Sequence, residues 1–223
     1  MIGPNGAGKT TVFNLITGVF PLTEGEVLFE GKKINHLKPY KIAELGIART
    51  FQNLQMFTNM QVIENVMIGA HVTGKAGIIG SALAMPWVAK EDEVMKTKAL
   101  EYLQAVGLKD VAYEKVDNLP FGQQRLTEIA RALASEAKFI ILDEPAAGLN
   151  ASETWELVQL IRELRSNDKT IMLVEHDMDT VMTLADRIIV LDFGAKIAEG
   201  TPSEIQSNAK VIKAYLGEDE EDA

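Results

Sequence analysis

Residues 3–10 read GPNGAGKT and match the P-loop pattern G-x-x-x-x-G-K-[ST] without a gap. A loop with these glycines turns successive backbone N–H groups toward an anion and lets the main chain approach where a Cβ would clash. The run VFNLI at 12–16 predicts a helix that starts near Gly8 and aims its positive end at the same anion. In this reading Asn5, Gly6, Ala7, Gly8, Thr10 and Thr11 line a nucleotide's phosphates, and Lys9 reaches the β- and γ-phosphates. Thr10 also offers its hydroxyl to Mg²⁺. A chance glycine-rich turn is the alternative, and it would need both glycines, the lysine and the threonine in register by accident.

Only Met1 and Ile2 precede Gly3, whereas a P-loop ordinarily follows a buried central strand. Loss of such a strand leaves its neighbours with unpaired backbone groups and an unfilled apolar slot, each costing kilocalories. The expectation from sequence is a chain that lacks its N-terminal strands, is poorly stable alone, and begins upstream in nature.

The 223 residues are 47% hydrophobic and 24% charged, which fits a globular protein with a sizeable core. A formal net charge of −10 argues against a general affinity for nucleic acid or anionic lipid. Nucleotide binding must come from local donors. There is no cysteine, so thiol catalysis and zinc–thiolate sites are excluded. The most apolar stretch, residues 76–89, is interrupted by Gly80 and Pro86 and is shorter than the roughly 20 residues a membrane-spanning helix takes.

EVLFEGKKI at 26–34 reads as a hairpin around Gly31, and IARTF at 47–51 as a strand. FIILD (139–143), TIMLVE (170–175) and RIIVLD (187–192) carry apolar residues on consecutive positions, as strands covered on both faces do. Between the first two, Trp155, Val158, Ile161 and Leu164 recur at helical spacing, with Asn150 and Glu153 forming a capping box. The outcome is an α/β fold with a mostly parallel sheet and right-handed crossovers. Helical periodicity dominates from 64 to 137, with helices expected over 62–71, 91–106 and 123–135 and a loop or short helices between the first two. The expected division is a discontinuous nucleotide-binding core of residues 1–63 and 138–217, an inserted helical subdomain at 64–137, and an acidic tail at 218–223.

FIILDEP places Asp143 and Glu144 where a strand emerges, as a Walker B pattern. Ligands of open α/β sheets gather at the carboxyl ends of strands, so this end should face the P-loop. Asp143 then holds the Mg²⁺ shell and Glu144 serves as general base for the attacking water.

Between these motifs, LPFGQQRLTEIARAL at 119–133 sets a Gly-Gln pair before an amphipathic helix, a helix N-terminus suited to an anion. With the P-loop and Walker B it resembles the signature motif of ATP-binding cassette (ABC) ATPases, commonly LSGGQ and here LPFGQ. That resemblance, covering essentially the whole chain, places Gln52 of RTFQN at the Q-loop, Gly148 and Asn150 at the D-loop, and His176 of LVEHD at the switch histidine. Within the family, the chain looks like the ATP-binding subunits of bacterial branched-chain amino acid importers, through MQVIENVMIGAH, LDEPAAGLN, VEHDMDTVM, EGTPSEIQSN and VIKAYLGE. Urea-type and lipopolysaccharide-export ATPases share several of these segments; soluble ABC proteins usually carry two cassettes or a coiled-coil insertion.

The resemblance implies two ATPase subunits, either two copies of this chain or two different chains, that sandwich two ATP molecules, each between one subunit's P-loop and the other's signature turn, in this chain Phe121, Gly122 and Gln123. It also implies transmembrane permease partners, and hence a peripheral place on the inner face of the plasma membrane. His176 then contacts the γ-phosphate, Gln52 is a catalytic residue and metal ligand lying between the metal and FTNMQVIEN (57–65), and Asn150 joins the nucleotide-binding residues. The sequence departs from the family in three ways. Pro120 replaces the signature serine, Asn150 replaces the frequent D-loop aspartate, and no upstream aromatic is present to stack on adenine. As an N-cap, Asn150 has an ordinary structural reading equal to the catalytic one.

Overall fold

The computed structural model describes residues 1–50, 54–70, 86–166 and 169–216. Helix α1 (Lys9–Ile16) starts from Gly8, whose φ of 94° is a left-handed conformation that glycine adopts without a Cβ penalty. Lys9 and Phe13, one turn apart, form its buried face. Strands β1 (Leu28–Phe29) and β2 (Lys32–Lys33) make the expected hairpin, with Leu28 opposite Lys33. Both turn residues, Glu30 and Gly31, have positive φ, which matches the twist of a tight hairpin. Helix α2 (Pro39–Glu44) carries its proline in the first turn, where no intrahelical N–H bond is lost, and leads into β3 (Ile47–Arg49).

A helical layer follows, made of α3 (Val62–Ala70), α4 (Pro86–Ala105) and α5 (Phe121–Ala134), with 3₁₀ turns at Lys109–Val111 and Val116–Asn118. Val62, Val66, Ala99, Leu103, Ile129 and Ala130 are buried between them. Helices α3 and α5 approach closely at Gly69, where an added Cβ would meet the Arg131 carbonyl oxygen at 2.0 Å. Of the stretch before residue 91, expected as a loop or short helices, the end is helix, because Pro86 opens α4. A proline at the first helical position gives up only an N–H that has no partner there. The remainder of that stretch, 71–85, lies outside the described residues, as does the acidic tail.

The rest of the chain alternates: β4 (Phe139–Asp143), α6 (Ala151–Ser166), β5 (Thr170–Val174), α7 (Met178–Leu184) and β6 (Ile188–Asp192). It ends in β7 (Ala195–Gly200), α8 (Pro202–Gln206) and α9 (Ala209–Leu216). Strands β3, β4 and β5 are hydrogen bonded in that order and parallel, with Ile47 opposite Phe139 and Asp143 opposite Val174. The period-2 alternation of β4 sends Ile140 and Leu142 into the cluster under the helical layer, and Ile141 into a second cluster with Phe13, Ile42 and Val174.

Strand β5 departs from the expectation of two covered faces. Ile171, Met172 and Leu173 are only half-buried, because they border a cavity of about 480 Å³ shared with Ile161, Val181, Leu184 and Ile189. Met1 and Ile2 bridge the gap between β5 and β6. The Met1 amino group donates to the Leu173 carbonyl, Ile2 N–H to Ile189 at 2.9 Å, and Leu191 N–H to Ile2 at 2.9 Å. Ile2, fully buried and parallel to β6 at Val190, thus delivers the P-loop into the middle of the molecule. Strand β6 pairs antiparallel with β7 through Phe193 and Gly194, both at positive φ. The sequence reading missed β7, since AKIAEG lacks an apolar alternation. Among the described residues, no helix is long and apolar enough to cross a membrane.

Candidate active site

The P-loop, Thr50 after β3, Asp143 and Glu144 at the end of β4, and His176 after β5 all stand at one end of the parallel sheet. Lys9 is 7% exposed, and its Nζ donates to the carbonyls of Gly3 at 2.7 Å and Pro4 at 3.0 Å. Burial holds its ammonium below the ordinary lysine value, opposed by the charges of Glu144 and Asp143. The lysine therefore rests on the carbonyls of its own loop, within the field of both Walker B carboxylates. Asn5, Gly6, Thr10 and Thr11 are exposed along the loop and the first turn of α1, while Ala7 is buried and its carbonyl accepts from Gly194 N–H at 3.0 Å. The β6–β7 turn thereby braces the cradle from behind.

Asp143 is buried and takes an ion pair from Arg49, with Nη2 to Oδ2 at 2.8 Å. Glu144 has φ 48°, a left-handed conformation that costs a non-glycine residue roughly 1–2 kcal/mol. Its N–H still donates to Val174 at 2.9 Å, so β5 holds the bend. The bend brings Glu144 Oε1 to 2.9 Å from His176 Nε2, and with an ionised carboxylate as acceptor the ring nitrogen is the donor. Glu175 had no role in the sequence reading. Its buried carboxylate accepts from Ala146 N–H at 2.8 Å and His176 N–H at 3.3 Å, tying the histidine turn to the segment after Walker B. Burial pushes the Glu175 carboxyl up, and these two backbone donors oppose that shift. Asp177 caps α7 by accepting from Asp179 and Thr180 N–H groups, and a hydrogen bond from the Thr180 hydroxyl is the main cause of its lowered pKa.

Mg²⁺ prefers oxygen ligands, keeps several waters and takes only one or two groups from protein. A hydroxyl on the first turn of α1 and a buried carboxylate at the end of β4 fit that demand. Gln52, the remaining expected ligand, lies outside the described residues.

The residues read as the signature form a separate group. Phe121 is 45% exposed and opens α5, Gly122 is buried, and Pro120 occupies the N-cap position without a side-chain cap. The Glu153 carboxylate packs against Gly122 and accepts from Asn150 N–H at 2.9 Å. Asn150 Oδ1 accepts from Ser152 and Glu153 N–H at 2.9 and 3.0 Å, so the expected capping box is formed and the side chain is committed to it. The Gly122 and Asn150 turns are thus joined through Glu153. Among the described residues, no hydrogen bond joins 121–123 to the P-loop of the same chain.

Two further residues at the site went unread in the sequence. Arg49 and Asn14 meet at 2.6 Å, joining β3 to α1. The one available signal was an arginine inside a strand that had to be buried, since such a charge requires a partner.

Residues 1–147 match the family described as ABC transporter. The chain belongs to the ATP-binding cassette family of ABC transporters. Residues 195–221 of the cassette also match the family described as branched-chain amino acid ATP-binding cassette transporter. The cassette is 44% identical to the high-affinity branched-chain amino acid transport ATP-binding protein LivG of Escherichia coli K12, over 98% of this chain and 86% of that protein. It is 43% identical, with the same coverage, to BraF of Pseudomonas aeruginosa, a protein of the same description. Among solved structures it resembles the ADP conformation of MJ1267, an ATP-binding cassette of an ABC transporter, with TM-score 0.82 and 36% identity over 97% of this chain and 86% of that one. A dimeric structure of MJ0796, a bacterial ABC transporter cassette, matches with TM-score 0.75 and 29% identity over 90% and 83%. The family is one of ATPases, so ATP is the nucleotide and its hydrolysis the reaction.

Proposed function

We propose that this cassette is the ATP-hydrolysing subunit of an importer for branched-chain amino acids, acting as one of two cassettes against transmembrane permeases. The observation that carries the reading is the meeting of Lys9, Asp143, Glu144 and His176 at one end of the parallel sheet. The match of residues 195–221 and the LivG and BraF relatives support the substrate class.

Asn5 to Gly8 present backbone N–H groups to the phosphates, with Thr10 and Thr11 beside them, and Lys9 exchanges its two loop carbonyls for β- and γ-oxygens. Thr10, Asp143 and Gln52 would hold Mg²⁺, which would supply positive charge to offset that of the phosphates. Glu144 accepts the proton of the attacking water. His176 holds Glu144 before nucleotide arrives and turns to the γ-phosphate afterwards. Phe121, Gly122 and Gln123 in the first turn of α5, with Asn150 capping α6 beside them, stand apart from their own P-loop, a placement that suits delivery to a second cassette's ATP. Catalysis of this kind is mostly positioning and charge neutralisation, which a site closed from two sides provides.

The same reading assigns 1–63 and 138–217 to the nucleotide-binding core and 64–137 to a helical subdomain. Between them, buried Asn65 pins the 57–61 turn by accepting from Phe57 N–H at 3.0 Å and donating to the carbonyls of Phe57 and Gln61. Phe57 and Met60 project from that turn, 50% and 39% exposed, as apolar anchors for a permease. Such docking places the cassette at the cytoplasmic face of the membrane without inserting it. Deleting the gene and measuring uptake of labelled leucine, isoleucine and valine tests the reading. The expected result is loss of high-affinity uptake of all three; uptake at the parental rate would reject this substrate class.

A further inference from the structure

The Arg49 guanidinium does more than neutralise a carboxylate. Its Nη2 holds Asp143 Oδ2 at 2.8 Å, its Nη1 holds Asn14 Oδ1 at 2.6 Å, and its Cζ lies 5.3 Å from the Phe13 ring centroid. Both members of the ion pair are nearly dry, with side chains 6% and 3% exposed. Asn14 and Phe13 belong to α1, the helix that begins with Lys9. Asp143 also donates its N–H to Thr50 Oγ1 at 3.3 Å, and Thr50 N–H reaches Ile141 at 2.9 Å, so β3 and β4 stay in register up to the pair. One planar fork thus links three elements: the strand that carries Asp143, the helix that carries Lys9 and Thr10, and the strand that leads toward residue 52.

A buried aspartate with one oxygen fixed by an arginine has a fixed carboxylate plane, and the direction of its other oxygen follows. We infer that Arg49 is a positioning residue for the metal: it sets the Asp143 carboxylate relative to Thr10, and so governs how much Mg²⁺ tightens nucleotide binding. This rests on the reading of Thr10 and Asp143 as the magnesium pair. Lysine would supply the charge but not the fork, since a single ammonium replaces two donors held in one plane.

The test is titration of a fluorescent ATP analogue into the whole chain, with excess Mg²⁺ and again with EDTA. The ratio of the two affinities is the readout, because a merely structural ion pair alters both equally. Wild type should bind more tightly with Mg²⁺. Arg49→Met should shrink that gain by on the order of tenfold, the worth of one charge-assisted hydrogen bond, with affinity in EDTA within about twofold of wild type. Should Arg49→Met fail to fold, Arg49→Lys and Asn14→Ala decide instead: both should lower the magnesium gain by about threefold or more. A gain equal to wild type in these variants, or equal losses with and without Mg²⁺, overturns the inference and leaves the nucleotide site intact. Absence of any magnesium effect in wild type overturns both this inference and the reading of the metal pair.

Discussion

Glu144→Gln lowers steady-state ATP turnover by about 10²- to 10⁴-fold, the range a positioned general base contributes, while ATP affinity stays near wild type. The substitution keeps the side chain's shape, so the bend at φ 48° and the N–H bond to Val174 persist. What is lost is the carboxylate that accepts a proton from water. The amide oxygen can still accept from His176 Nε2, 2.9 Å away in the parent chain, so the histidine is not set free to compensate. Phosphate release under saturating ATP, with binding measured in parallel, checks this. Turnover near the wild-type rate would remove Glu144 from the role of base.

Lys9→Ala should weaken ATP binding by about two orders of magnitude, because charge-assisted bonds to two phosphate groups vanish together. The side chain is 7% exposed and its ammonium is held by the Gly3 and Pro4 carbonyls, which are left without that donor in the variant. Part of the loss therefore comes from a looser loop. Isothermal titration with ATP and Mg²⁺ measures the sum, and thermal unfolding without nucleotide measures the loop's share. An affinity within a fewfold of wild type would mean that the backbone cradle alone binds the phosphates.

Much of this site could be read before any coordinates, for reasons visible in the residues. Lys9, Asp143 and Glu144 each sit in a short contiguous motif attached to a helix start or a strand end, and local periodicity places such ends; His176 was named only through the family resemblance. Asn150 and Glu153 were legible as a cap because a capping box spans three residues. Arg49 was not. Its partners are 35 and 94 positions away, and pairing at that separation is fixed by tertiary packing, which no local pattern encodes. Glu175 escaped for the same reason, with its acceptor role reaching back to Ala146. The partial burial of β5 could not be read from TIMLV, since how fully its residues are covered depends on what fills the gap that Met1 and Ile2 bridge. β7 was hidden by composition: AKIAEG has the residues of a surface ribbon, and only Phe193-Gly194 marks its turn.

In the proposed function ATP is enclosed between the Lys9 cradle of one copy of the cassette and the Gly122 turn of a second copy. Light scattering of the Glu144→Gln chain, which traps the bound nucleotide, tests it most directly. With ATP and Mg²⁺ the mass should double from 24.5 kDa, and it should return to one chain when nucleotide is removed. A chain that binds ATP at full stoichiometry yet keeps the mass of a single copy would contradict the claim.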